Sequence, residues 1–173
     1  LADIESKPGV NAESIATGGI SGMMHGYLAV DKEGRLLVPF RTWRNNITSE
    51  AAARLTELFS FPIPQRWSIA HLYQAILNGE EHVARIAQIT TLSSYVHRKL
   101  TGEHVIGIND ASGMFAIDLA SQDYDRRLFD LFHEEIGDYK LPWNLEELLP
   151  TVVPAGEVAG VLSEEGAGVL DPK

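Results

Sequence analysis

The chain has 173 residues, a net charge of −10 and no cysteine, with 45% hydrophobic and 22% charged residues. That length and balance suit one globular domain, alone or as part of a larger protein. They exclude a disulfide framework and a thiolate metal centre, and the absence of any Lys/Arg run argues against a nucleic-acid or anionic-membrane surface.

No apolar run approaches the roughly 18 residues of a membrane span, and no charged-then-apolar leader opens the sequence. A cytoplasmic setting is therefore expected. Residues 1–7 read as the tail of a helix, with Leu1, Ile4 and Glu5 on one face and Pro8-Gly9 ending it. A domain seldom starts mid-helix without a start signal, so further residues are expected upstream of Leu1.

Residues 15–21 are small or β-branched and predict a buried strand. Gly22-Met23-Met24-His25-Gly26 then forms a glycine-bounded bend, and residues 27–30 a second strand. Asp31-Lys32-Glu33-Gly34 has hairpin-turn chemistry, with Gly34 available for a positive φ, and residues 36–43 return as a third strand. Thr48 or Ser49 caps a helix whose apolar stripe is Leu55, Leu58 and Phe59. Phe61-Pro62-Ile63-Pro64 is a rigid extended link. Ile69, Leu72, Tyr73, Ile76 and Leu77 follow the i, i+3, i+4, i+7, i+8 pattern of a helix, which Asn78-Gly79 ends.

Residues 86–90 predict a short strand. Thr91 caps a helix with Leu92, Tyr95, Val96 and Leu100 on one face and Gly102 at its C-terminal cap. Asn109-Asp110-Ala111-Ser112-Gly113 reads as a loop and residues 114–117 as a strand. Asp123 caps a helix burying Tyr124, Leu128, Leu131 and Phe132, with Gly137 as its stop. Asn144-Leu145-Glu146-Glu147 has capping-box form, and residues 158–162 predict a last strand. The pattern is mixed α and β.

The bend offers the clearest chemistry. Its glycines leave room for a ligand to approach, so His25 reads as a ligand contact, with a structural hydrogen bond as the rival reading. His71 and His97 read as surface or satisfied residues. Trp43 ends a strand and is followed by Arg44, Asn45 and Asn46. An aromatic ring beside amides and a guanidinium suits a polyhydroxylated ligand: the ring packs on C–H faces while the amides bond hydroxyls. An ordinary core tryptophan is the alternative. Asp110 reads as a loop cap, or as a polar residue near a site. Trp67 and Trp143 read as packing residues. No metal motif, nucleophile elbow or Walker loop is present.

Gly19-Ile20-Ser21-Gly22-Met23-Met24-His25-Gly26 resembles the Gly-Ile-Ser-Gly-Gln-Met-His-Gly segment of the FGGY family of carbohydrate kinases, in particular its xylulokinase-like branch. Later features follow in the family's order. Asp31-Lys32-Glu33-Gly34 is similar to its Asp-x-x-Gly turn, Trp43 to the tryptophan of its Trp-x-Asp-x-Arg segment, and Leu100-Thr101-Gly102-Glu103 to its Leu-Thr-Gly-Glu helix end. Asp110-Ala111-Ser112-Gly113-Met114 resembles its Asp-Ala-Ser-Gly-Thr loop. Leu149-Pro150 and Val158-Ala159-Gly160 fit the tail of the first domain.

The resemblance implies an α/β fold of the actin-like ATPase, RNase H-like type, a mixed sheet with flanking helices. It implies that residues 1–173 form most of the first, sugar-binding domain, without the opening Asp-x-Gly-Thr phosphate hairpin and without the second, ATP-binding domain. The implied activity is transfer of the γ-phosphoryl group of ATP to a hydroxyl of a ketose such as xylulose, or of a related sugar or polyol. ATP and magnesium belong to the full-length enzyme, and none is expected on this part. The implied partners are the small-molecule sugar and the remainder of the kinase chain, with no nucleic acid and no membrane; a homodimer is left open.

By the same resemblance Met24, His25, Trp43, Asn45 and Asp110 are substrate-binding, and no residue here is catalytic or ligates a metal. The chain departs from the family at Met23, where glutamine is usual, and at Asn45, where aspartate is usual. Asparagine both donates and accepts, whereas aspartate only accepts, so the hydroxyl pattern it recognises differs. These departures motivate a second reading beside the kinase one, a non-catalytic actin-like regulatory or assembly module.

Overall fold

The computed structural model describes residues 2–9, 11 and 14–170. The one-turn helix α1 (Ala2–Glu5) opens it; the expectation for Leu1 lies outside the described residues. Residues 15–21 form no strand and are exposed. Their β-branched composition suits a ladder, but no described strand pairs with them.

The strand β1 (Gly26–Val30) is central and wholly buried. It pairs antiparallel with β2 (Arg41–Thr42) on one side and β3 (Gln88–Thr90) on the other, with Tyr27 opposite Arg41 and Ala29 opposite Ile89. The expected turn forms, with Gly34 at φ +74° and Asp31 accepting from the main chain of Glu33 and Arg35. The expected third strand over 36–43 shrinks to β2 and one bridge between Val30 and Leu36, and Pro39 interrupts the run between them by removing a donor.

Two helices follow. In α2 (Ser49–Phe59), Leu55 and Phe59 are buried and Leu58 packs at the margin. Thr48 stands at its N-cap, but its hydroxyl donates to the Gln65 carbonyl instead of capping. The helix α3 (Ser68–Leu77) lies against β1 and α2 and buries all but its last residue. Contrary to the surface reading, His71 is fully buried on the Tyr27 ring, and among the described residues neither of its ring nitrogens has a hydrogen-bond partner. Tyr27 Oη bonds His82 Nε2 at 2.9 Å, and Arg41 spans from above the Tyr27 ring to Glu80.

Thr91 caps α4 (Leu92–Thr101) by accepting from the Ser94 N–H, and Gly102 closes it in the left-handed region. The buried face is not the expected aliphatic one. Ser93 and Ser94 are buried while Val96 is exposed. Small side chains let the helix approach β4 (Val105–Gly107), where the Ser94 hydroxyl donates to the Val105 carbonyl. Residues 109–113, expected as loop, begin in a single helical turn α5 (Ile108–Ala111).

The expected strand over 114–117 is reduced to β5 (Ile117–Asp118), paired antiparallel with β6 (Asp123–Tyr124). Met114, Phe115 and Ala116 are buried, and Phe115 stacks on Phe129 at 4.8 Å. Asp123 lies in that ladder, so the cap of α6 (Arg126–Ile136) falls to Asp125, which accepts from the Arg127 N–H. The capping box of α7 (Leu145–Leu148) forms with Asn144 and Glu147. Strand β7 (Thr151–Val153) runs parallel to β4. The expected strand over 158–162 is absent; Val158 and Val161 are among the most exposed apolar residues. Helix α8 (Glu164–Leu170) closes the chain on α4, where a Cβ at Gly166 would fall 2.0 Å from the Leu100 carbonyl oxygen.

Candidate functional site

The glycine bend is fastened at both ends. At one, a Cβ on Gly22 would meet Ser93 at 3.2 Å, so the bend packs on the start of α4. At the other, Gly26 has φ +121°, and a Cβ there would fall 2.6 Å from the Arg41 carbonyl oxygen. Only glycine fits that backbone and that approach. The Gly26 N–H donates to the Arg66 carbonyl, and the Ser68 hydroxyl donates to the Gly26 carbonyl. The bend is thereby tied to the turn that enters α3.

These ties create a cleft of about 680 Å³, lined by His25, Trp43, Asn45, Asn46, Pro64, Gln65 and Arg66. His25 comes from the bend, Trp43 to Asn46 from the segment after β2, and Pro64 to Arg66 from the link before α3. Trp43 is half-exposed, with the Arg44 guanidinium 5.1 Å from its ring centroid. Asn45 Oδ1 accepts from the Ile47 N–H, an Asx turn that leaves the amide NH₂ to donate outward.

His25 Nδ1 is buried against the main chain of Gly113, outside ordinary hydrogen-bond geometry. Burial first, then the Arg66 guanidinium, lower the imidazole pKa; the Gly113 main chain and the Asp110 carboxylate pull it the other way. The net direction is down, so the ring is neutral near pH 7 and can exchange a hydrogen bond with a hydroxyl without bringing a charge.

The structure thus brings His25, Trp43 and Asn45 to one cleft. Met24 is half-buried beside them and does not line it. Asp110 stands behind His25, where it accepts from the Ser93 hydroxyl, which also meets Thr91 at 3.1 Å. It faces a separate recess of about 190 Å³ at the carboxyl ends of β4 and β7, with Asn109, Pro154 and Glu157. Pro64, Gln65 and Arg66 were not expected in the site. Their sequence signal is slight: two polar residues between a proline link and a helix.

Among the described residues, no group of three or more His, Cys, Asp or Glu is placed to hold a metal ion. No described helix is long and apolar enough to cross a membrane.

The sequence matches the FGGY family of carbohydrate kinases, N-terminal domain, over residues 1–170. The xylulose kinase of Haemophilus influenzae is 25% identical over 175 residues, covering 95% of this chain and 34% of that protein. The L-fuculokinase of Escherichia coli is 26% identical over 166 residues, covering 91% and 32%. The crystal structure of xylulose kinase from Rhodospirillum rubrum is 24% identical and superposes with a TM-score of 0.72 over 92% of this chain and 33% of that one. The chain therefore spans about a third of the length of the relatives it matches. At this identity the structural likeness carries the fold, the actin-like mixed α/β fold of these kinases.

Proposed function

Since the chain belongs to the FGGY family of carbohydrate kinases, we propose that it supplies the sugar-positioning cleft of an enzyme that transfers the γ-phosphoryl group of ATP to a hydroxyl of a ketose such as xylulose, or of a related sugar or polyol. In this reading it is most of the first domain, working in a cytoplasmic setting with a second, ATP-binding domain.

The observation that supports it is the convergence of His25, Trp43 and Asn45, from two separate segments, on one open cleft. The Trp43 ring offers an apolar face to sugar C–H groups, and the Asn45 amide donates to a hydroxyl. The neutral His25 fixes a second hydroxyl. Met24 belongs to the proposed set through its main chain, which meets Gly113 beside His25. Asp110 belongs to it by holding Ser93 under the bend. Positioning and charge neutralisation dominate phosphoryl transfer. These residues supply the positioning. The described residues do not fit a resident metal, so no step is assigned to one held here; the nucleotide and its magnesium enter the proposal with the second domain.

Steady-state phosphorylation by the full-length protein tests the reading. ATP consumption dependent on a sugar or polyol is expected from it, and none from residues 1–173 alone. A full-length protein that binds such acceptors and ATP yet phosphorylates none of them would favour the non-catalytic module that the Met23 and Asn45 departures suggest.

A further inference from the structure

The charge of the cleft is the reverse of the molecule's. The chain carries 24 acidic and 14 basic residues, yet among the described residues no carboxylate lines the cleft, while Arg66 does. Among the described residues the Arg66 guanidinium has no hydrogen-bond or ion-pair partner, although Arg35, Arg41, Arg54, Arg126 and Arg127 each hold a carboxylate. Its main-chain carbonyl is held by Gly26, and its charge is close enough to depress the His25 pKa.

Of the amides beside it, Asn46 and Gln65 bring both donors and acceptors, while Asn45 leans towards donation. Asn45 spends its oxygen on the Ile47 N–H, and Arg44 adds a second guanidinium at the rim over Trp43. A neutral sugar offers hydroxyls that donate as well as accept, and is best met by a mixture of amides and carboxylates. A wall without carboxylates, with the Arg66 guanidinium in it and that of Arg44 at its rim, neither of them holding a carboxylate among the described residues, fits a ligand that brings an anionic acceptor of its own.

Resting on the kinase reading above, we infer that Arg66 selects the acceptor: within the class of sugars and polyols, the cleft takes a sugar acid, whose carboxylate pairs with Arg66 while its hydroxyls meet Asn45 and His25. The Arg66 side chain is exposed and its anchoring contact is made by the main chain, so its replacement leaves the bend intact.

The test uses the full-length protein and its Arg66→Gln and Arg66→Lys variants, with ATP and four acceptors: D-xylulose, xylitol, D-xylonate and D-gluconate. Turnover and ligand-induced thermal shift are both measured. An aldonate is expected to exceed the neutral acceptors in kcat/KM by about ten-fold or more, the worth of one charge-assisted pair. Arg66→Gln should raise the KM for the aldonate by a similar factor, and by more than the KM of any neutral acceptor, and Arg66→Lys should recover part of the loss. Preference for a neutral acceptor, unaltered by Arg66→Gln, overturns the inference and leaves the kinase reading standing. An equal fall in kcat on every acceptor also overturns it, because Arg66 would then serve the transferred phosphoryl group. Arg66-dependent thermal stabilisation by an aldonate without turnover of any acceptor upholds the pairing of a sugar acid with Arg66 and counts against the kinase reading. Neither binding nor turnover of an aldonate overturns it.

Discussion

The imidazole of His25 lies against the main chain of Gly113: a Cβ at residue 113 would stand 2.5 Å from Nδ1 and 2.8 Å from the Met24 carbonyl oxygen. The absent side chain of one segment thus sets the seat of the proposed ligand contact on another. Gly113→Ala must displace either the ring or the bend. We expect it to abolish sugar-induced thermal stabilisation and to cost about 1–3 kcal/mol, as overpacking does. Gly137→Ala is the control, since nothing lies within 4 Å of a Cβ there. It should leave ligand binding unchanged and stability equal or slightly raised. Unaltered binding in Gly113→Ala would remove His25 from the site.

Trp43 separates binding from folding. It is half-exposed at the cleft and absent from the core cluster. Trp43→Ala is expected to move the urea midpoint by no more than about 0.5 kcal/mol equivalent, while raising the sugar KM about ten-fold through loss of the stacking face. A large loss of stability with unchanged KM would return Trp43 to a packing role.

Beneath β1, Arg41 and Glu80 form a forked pair with little solvent access, their side chains 16% and 23% exposed. Glu80 also approaches His82 at 3.4 Å. Glu80→Gln leaves the guanidinium over the Tyr27 ring without its counter-charge, and should cost about 1–3 kcal/mol in urea unfolding. Arg41→Met in the same background should recover part of that, because the stranded charge is then gone.

Acid sensitivity should arise chiefly at His71 and His104. Burial, then Arg41, push the His71 pKa from the ordinary 6.5 to about 4. The unfolded chain therefore binds a proton that the folded one refuses between those values, so stability is complete above pH 6.5 and falls as pH drops towards 4. That single group corresponds to about 3 kcal/mol across the window. His104 moves the same way, to about 4, again chiefly through burial. Since neither His71 ring nitrogen has a hydrogen-bond partner among the described residues, His71→Leu should be at least as stable at pH 7 and show a flatter profile from pH 6.5 to 4. An unchanged slope in denaturant titrations across that range would refute this assignment.

What the sequence made legible follows a physical divide. Helices α2 and α6 bury single faces, and α3, though buried almost all round, keeps its large apolar residues at helical spacing, so that spacing announced all three; the caps at Thr91 and Asn144 are local hydrogen bonds that need no distant partner. Strands need one. Residues 15–21 and 158–162 have strand composition but no ladder, and Asp123 entered a ladder with Asp118 that moved the helix cap to Asp125. The serine face of α4 was invisible because close helix–strand approach, not hydrophobicity, decides it. At the site, Trp43, Asn45 and His25 stood out by residue type and glycine context. Arg66 and Gln65 did not, because only the folding of the proline link onto Gly26 brings them there.

The parallel pairing of β4 with β7 encloses α6 and α7 in one long loop of chain, just as the β1–β3 pairing encloses α2 and α3. Closing either ladder across so long a loop costs entropy that comes before any reward from the ladder, and gathering the intervening helices first shortens the span to be closed. The helices should therefore acquire amide protection before the strands do. The cleft, whose walls are fixed from β1 by Gly26, is then among the last features of the molecule to assemble, and a chain released early would hold its core before it could hold a ligand.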